Sequence, residues 1–166
     1  KNLKLKDIIL EYRPKIIVEC GAGGGENTVK ILSLLDVYDF KLIVITDGKY
    51  DDCLLRQQQV KNLLWINNIS YLILPNIGSM DMCIIDTDHN YWTLQMELEA
   101  LSDKMSIGGL IVMHDIETFY HDTGMALSYS NGENYPRETI EEYGKKLGGM
   151  GDALITFLAN NRFKYK

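Results

Sequence analysis

No stretch of the sequence approaches the roughly 18 consecutive apolar residues of a membrane-spanning helix, so no span is predicted. Basic runs are missing too, and the net charge is −6. A nucleic-acid substrate, which needs a Lys/Arg surface against its phosphates, is therefore disfavoured, though a basic patch can sit on an acidic protein. Cysteine is scarce: Cys20, Cys53 and Cys83 are scattered, which excludes a disulfide framework or a zinc cluster. They read as reduced core residues of a cytoplasmic protein. With Lys1 rather than Met at its head the sequence reads as a trimmed chain, and no signal peptide is predicted. What remains is 166 residues, 46% of them apolar, enough for one domain (1–166) with a single substantial core.

The periodicity alternates between strand and helix. Leu5, Ile8, Ile9 and Tyr12 have helical spacing closed by Pro14, and 15–20 reads as the first strand. A helix is expected over 28–35, then a β-branched strand over 41–46, the sequence KLIVIT, typical of a strand covered on both faces. Val60, Leu63 and Leu64 suggest a helix over 54–65, followed by strands over 69–74 and 82–85. Tyr91, Leu94, Leu98, Leu101 and Met105 mark a helix, after which Gly108-Gly109 is expected to turn the chain into a strand over 110–113. Ile140, Tyr143 and Leu147 mark a late helix. Segments 153–159 and 162–165, flanking Asn160-Asn161, look like a terminal hairpin. Such alternation predicts an α/β fold, a Rossmann-like doubly wound and mostly parallel sheet with a C-terminal antiparallel hairpin.

The most informative segment is Glu19-Cys20-Gly21-Ala22-Gly23-Gly24-Gly25, between the first strand and the helix after it. Glycines at alternate positions let the backbone approach a ligand that a β-carbon would repel, and the amides of the turn then face that ligand. The plain alternative is a flexible turn. Gly21 and Gly23 would suit a dinucleotide loop, but Glu26 stands where its third glycine belongs. The pattern acid-x-Gly-x-Gly-x-Gly fits fully, and it resembles the first motif of the class I S-adenosylmethionine-dependent methyltransferases. The resemblance implies that Glu19, Gly21, Ala22, Gly23 and Gly25 hold the methionine end of S-adenosylmethionine. Asp47, ending the next strand, is placed to accept hydrogen bonds from both ribose hydroxyls, a role that would suit NAD equally; otherwise it is a solvated turn residue before Gly48. The family also implies a helix between strands three and four, where only 75–81 remains, leaving the adenine contacts unassigned.

A second stretch gathers at the same sheet edge: Asp86, Asp88 and His89 after the fourth strand, and His114-Asp115 after the fifth. Clustered carboxylates repel unless a cation or proton lies between them, and hard oxygen ligands suit Mg²⁺. The pattern D-x-D-H, helix, Gly-Gly, strand, H-D resembles the metal-assisted O-methyltransferase and cephalosporin-hydroxylase-like branch. That resemblance implies Asp86, His114 and Asp115 as metal ligands, with Asp86 also catalytic. His89 becomes the candidate general base. His114 departs from the acid more common there. Imidazole is a poorer Mg²⁺ ligand, so a softer cation, or none with His114 merely capping its strand, stays open. His121 reads as a surface residue, Tyr91-Trp92 as a pocket wall, and the aperiodic segment 116–136 as a substrate loop, with disorder the competing reading.

These readings converge on S-adenosylmethionine-dependent O-methylation of a small-molecule acceptor, Mg²⁺-assisted, with no membrane partner. The acceptor's identity and the oligomeric state are left open, a homo-oligomer being compatible with all of this. An NAD-linked oxidoreductase and a degenerate cofactor-binding module without turnover are the alternatives.

Overall fold

The computed structural model describes residues 4–47, 60–116 and 149–161. In chain order these form α1 (Leu5–Tyr12), β1 (Ile16–Cys20), α2 (Glu26–Leu32), β2 (Lys41–Thr46), β3 (Leu63–Asn67), α3 (Ser70–Ile73), β4 (Met80–Ile85), α4 (Tyr91–Leu101), β5 (Met105–Met113) and α5 (Met150–Asn160). The five strands pair in the order β3-β2-β1-β4-β5, all parallel. The order reverses at β1, which places the crevice of an open α/β sheet between the β1 and β4 ends.

Period-two alternation sorts the strand residues onto two faces. Ile17, Leu42, Val44, Met82 and Ile84 pack with Ile9 of α1 and Ile31 of α2. Val18, Cys20, Ile45, Cys83 and Ile85 pack with Leu94 and Leu98 of α4 and Phe157 of α5. Both faces are therefore covered, as the β-branched runs of β1 and β2 require. Helix α1 stops because Arg13 turns left-handed (φ 51°) with its N–H donating to Ile9 O, directly before Pro14. Cys20 and Cys83 are free and buried, their sulfurs 4.0 Å apart, and the hydrogen bond with Cys83, together with burial, pushes the Cys20 thiol up. No helix among the described residues is long and apolar enough to cross a membrane.

Several expectations are corrected. Residues 63–67, read as the end of a helix, form the third strand, and 70–73, read as that strand, form α3. Strand β3 is half exposed, with Leu64 at 53%, so its inward residues alternate where a helical spacing had been read. The gap expected at 75–81 closes as a result, because α3 and a short turn over Leu74–Asn76 connect β3 to β4. The terminal hairpin is replaced by α5: Asp152 accepts from the Gly149 N–H, and Met150, Ala153 and Phe157 recur on one buried face. Gly108-Gly109 lies inside β5 rather than before it, as an irregularity where pairing shifts between Met80 and Met82. Cys53, most of the helix read over 54–65, His121, the segment after Ile116, the helix around Tyr143 and the second hairpin segment lie outside the described residues.

Glu97 of α4 is fully buried and receives hydrogen bonds from the hydroxyls of Ser70 and Thr87 (2.9 Å from Thr87). Burial raises its carboxyl to about 7. A carboxyl raised on folding favours the protonated native state, so its stabilising contribution is complete below the unfolded value and fades between pH 4.5 and about 7. That window corresponds to about 3 kcal/mol. Glu97→Gln keeps a neutral hydrogen-bonding group, so the variant should gain on the wild type in melting temperature as pH rises from 5 to 8. A difference in melting temperature that stays constant over that range would show that Glu97 does not titrate there.

Candidate active site

The strand ends are stitched one residue beyond the sheet. The Asn68 N–H donates to Thr46 O (3.0 Å), Gly21 to Ile45 O (2.9 Å), Asp86 to Cys20 O (2.9 Å) and His114 to Ile85 O (3.0 Å). The residues following four strands are thereby fixed in one row. Within it, Gly21 has φ +78°, and a β-carbon there would lie 2.1 Å from the Asp86 carbonyl oxygen. Gly23, at φ +49°, faces open space. Gly25, at φ +81°, precedes the first residue of α2.

A cleft of about 300 Å³ lies over this row. Gly21 and Gly23 floor it, Thr46 and Asp47 close one side, and Asp86, Thr87, Asp88 and His89 the other. Asn68, Ser70 and Tyr71, after β3, complete it. These last residues escaped the sequence reading, because contacts after the third strand were sought at 75–81. Their only signal is the polar run Asn67-Asn68 at the end of β3. Among the loop residues singled out from sequence, Gly21, Gly23 and Asp47 line the cleft, while Glu19, Ala22 and Gly25 stand behind it as supports. Ala22 is buried, its N–H 3.5 Å from Thr46 Oγ1. Glu19 is 1% exposed; Thr28 Oγ1 donates to its Oε2 at 2.6 Å, and no partner meets Oε1. Burial, with the nearby Asp86 charge adding to it, raises the Glu19 carboxyl to about 7.

The acid–imidazole cluster stands at the end of the cleft. His89 Nε2 is 3.6 Å from Asp86 Oδ1 and 3.7 Å from Asp115 Oδ2. His114 Nδ1 is 3.3 Å from each of the same two oxygens. Asp115 adopts φ 53°, a left-handed backbone state uncommon outside glycine, asparagine and aspartate, and its carboxylate lies against both histidines. His89, then His114, hold the Asp86 carboxyl below the usual range, and Asn27 donates to its other oxygen at 3.5 Å. Ligand atoms of Asp86, His89 and His114 lie within 4.8 Å of one another, a spacing one divalent cation can bridge. The structure thus brings the three sequence-derived metal candidates together and adds His89, the candidate base, to them.

Residues 18–116, more than half the chain, match the family model described as a methyltransferase domain. The chain belongs to this methyltransferase family. No curated protein matches its sequence. Among solved structures, an S-adenosylhomocysteine-bound methyltransferase of Podospora anserina superposes with TM-score 0.61 at 13% identity, over 95% of this chain and 67% of that one. A Staphylococcus aureus protein named as a caffeoyl-CoA O-methyltransferase gives TM-score 0.59 at 16% identity, over 95% and 72%. CmcI with Mg and SAM gives 0.54 at 17%, over 83% of this chain and 56% of CmcI. At these identities the likeness concerns the fold alone, that of the class I methyltransferases.

The two loop glycines should respond differently to a methyl group. Gly21→Ala forces a β-carbon onto backbone in a left-handed conformation and is expected to destabilise by about 3 kcal/mol or more, lowering the denaturation midpoint. Gly23→Ala meets only the conformational penalty, about 1 kcal/mol. Equal midpoints for the two variants in urea would contradict the close packing of the loop against Asp86.

Proposed function

We propose that the protein is an S-adenosylmethionine-dependent methyltransferase acting on a hydroxyl oxygen of a small molecule, with a divalent cation beside the acceptor. One observation carries this reading: the glycine floor, the Asp47 side and the Asp86–His89–His114–Asp115 cluster meet at a single sheet edge. The cleft suits the donor. Gly23 leaves room over the loop, Asp47 offers a carboxylate to a ribose, and Glu19, buried behind the loop and held by Thr28, braces it. Asn68, Ser70 and Tyr71 take the adenine side. The Podospora and CmcI structures, carrying S-adenosylhomocysteine and SAM, support the same ligand here.

At the cluster, the acceptor oxygen forms its bond to the methyl carbon in line as the carbon–sulfur bond breaks, and His89 takes the hydroxyl proton. The gain comes chiefly from alignment of the two reactants. A cation held by Asp86, His114 and Asp115 would grip the acceptor oxygen and lower the pKa of its hydroxyl. The Mg of the CmcI structure supports Mg²⁺, whereas the His114 imidazole beside two carboxylates suits a borderline ion such as Mn²⁺ better.

Isothermal titration with S-adenosylmethionine, S-adenosylhomocysteine and NAD tests the donor. Micromolar binding of the two adenosyl ligands, lost in Asp47→Ala, is expected; binding of NAD alone would establish an oxidoreductase, and binding of none a degenerate module. His89→Ala should lower kcat by about 10²- to 10⁴-fold. For the cation, Mg²⁺ or Mn²⁺ should raise the melting temperature of the wild type and not of Asp86→Ala; a rise that survives the substitution removes the site.

A further inference from the structure

A second cavity, of about 610 Å³, opens on the other face of the sheet between α1 and α2. Its size falls within the range of small-molecule sites. Ile8, Ile31, Leu34, Ile84 and Val112 give it apolar walls. Two further features separate it from an ordinary packing gap. His114, a member of the acid–imidazole cluster, forms part of its lining, as does Asn27, the residue that donates to Asp86. The cavity therefore borders the cluster, on the side away from the glycine cleft. Its remaining charged lining is of one sign: Lys4, Lys6 and Lys30, all exposed. Lys30 has Glu26 at 3.9 Å, so Lys4 and Lys6 carry the positive potential. On a chain of net charge −6, cations gathered on an apolar cavity select for the opposite charge.

We propose that this cavity is the acceptor site, and that the acceptor is an apolar, ring-sized body bearing a hydroxyl and an anionic group such as a carboxylate or phosphate. The apolar body lies between α1 and α2, the anion meets Lys4 and Lys6, and the hydroxyl reaches the cluster at His114. This inference rests on the methyltransferase reading and names its substrate class.

The test uses two hydroxylated probes of similar size, 6-hydroxy-2-naphthoate and 2-naphthol, titrated calorimetrically into the protein saturated with S-adenosylhomocysteine. The naphthoate should bind about tenfold more tightly than the uncharged naphthol. In the double variant Lys4→Glu/Lys6→Glu that preference should vanish or reverse. Both lysines are exposed, so the fold should persist, and unchanged S-adenosylhomocysteine affinity of the variant verifies it. Equal affinity of the two probes, binding of neither, or a preference that survives the double substitution overturns the acceptor site while leaving the methyltransferase reading in place. Failure of S-adenosylhomocysteine itself to bind the wild type overturns that reading, and the acceptor site with it.

Discussion

The contact on which the rest of the site depends is that of the Gly21 backbone with the Asp86 carbonyl. A β-carbon at position 21 would sit 2.1 Å from that oxygen, so the loop after β1 can lie against the loop after β4 only as glycine. The approach is held from both sides: Gly21 N–H bonds to Ile45 O, and Asp86 N–H to Cys20 O. A parallel ladder cannot slip by one residue without turning buried side chains to the other face, and β1 is paired along its length on both sides. Core packing therefore fixes the register, and the register fixes where the loop and the cluster meet.

The same packing governs charge. Glu19 and Glu97 are buried acids beneath the cleft, and burial raises both to about 7. Asp86 is held below its usual range by His89 and His114. Three carboxyl groups around one site are thus driven apart, the two supports toward the neutral form and the one facing the reactants toward the ionised form. Such separation confines negative charge to the place where a cation or an imidazolium would sit. Glu97 does structural work in addition, since its two hydroxyl partners, Ser70 after β3 and Thr87 after β4, both line the cleft.

What could be read from the residues alone followed from how far local patterns decide structure. The buried strands β1, β2 and β4 are continuous apolar runs with turn residues at their ends, and the glycine loop and the Asp86 and His114 positions follow directly from them. Strand β3 failed because a half-exposed strand has too few buried positions for its period to stand out, and Leu63-Leu64 imitates a helical face. That single misplacement hid Asn68, Ser70 and Tyr71. The segment ALITFLA reads as strand by composition, yet forms helix α5, where the Asp152 cap and packing against α4 prevail over propensity. Inclusion of His89 in the cluster was legible only in part: its spacing from Asp86 is local, whereas its approach to Asp115 depends on the left-handed backbone at 115.

The two cavities give the cluster its meaning. Asp86 and His89 line the glycine cleft, while His114 lines the cavity between α1 and α2. A group transfer of this kind needs donor and acceptor on opposite sides of the moving carbon, with the proton acceptor near the nucleophile. A cluster that contributes side chains to both spaces meets that requirement through the fold itself. Adjacent parallel strands β4 and β5 end side by side, so the residues after them share one edge while helices on the two faces enclose separate spaces. Convergence of the proposed donor and acceptor sites is in this sense a product of the doubly wound topology, with specificity left to the residues that line each space. In the cavity proposed for the acceptor those are the apolar faces of α1 and α2 and the lysines beside them.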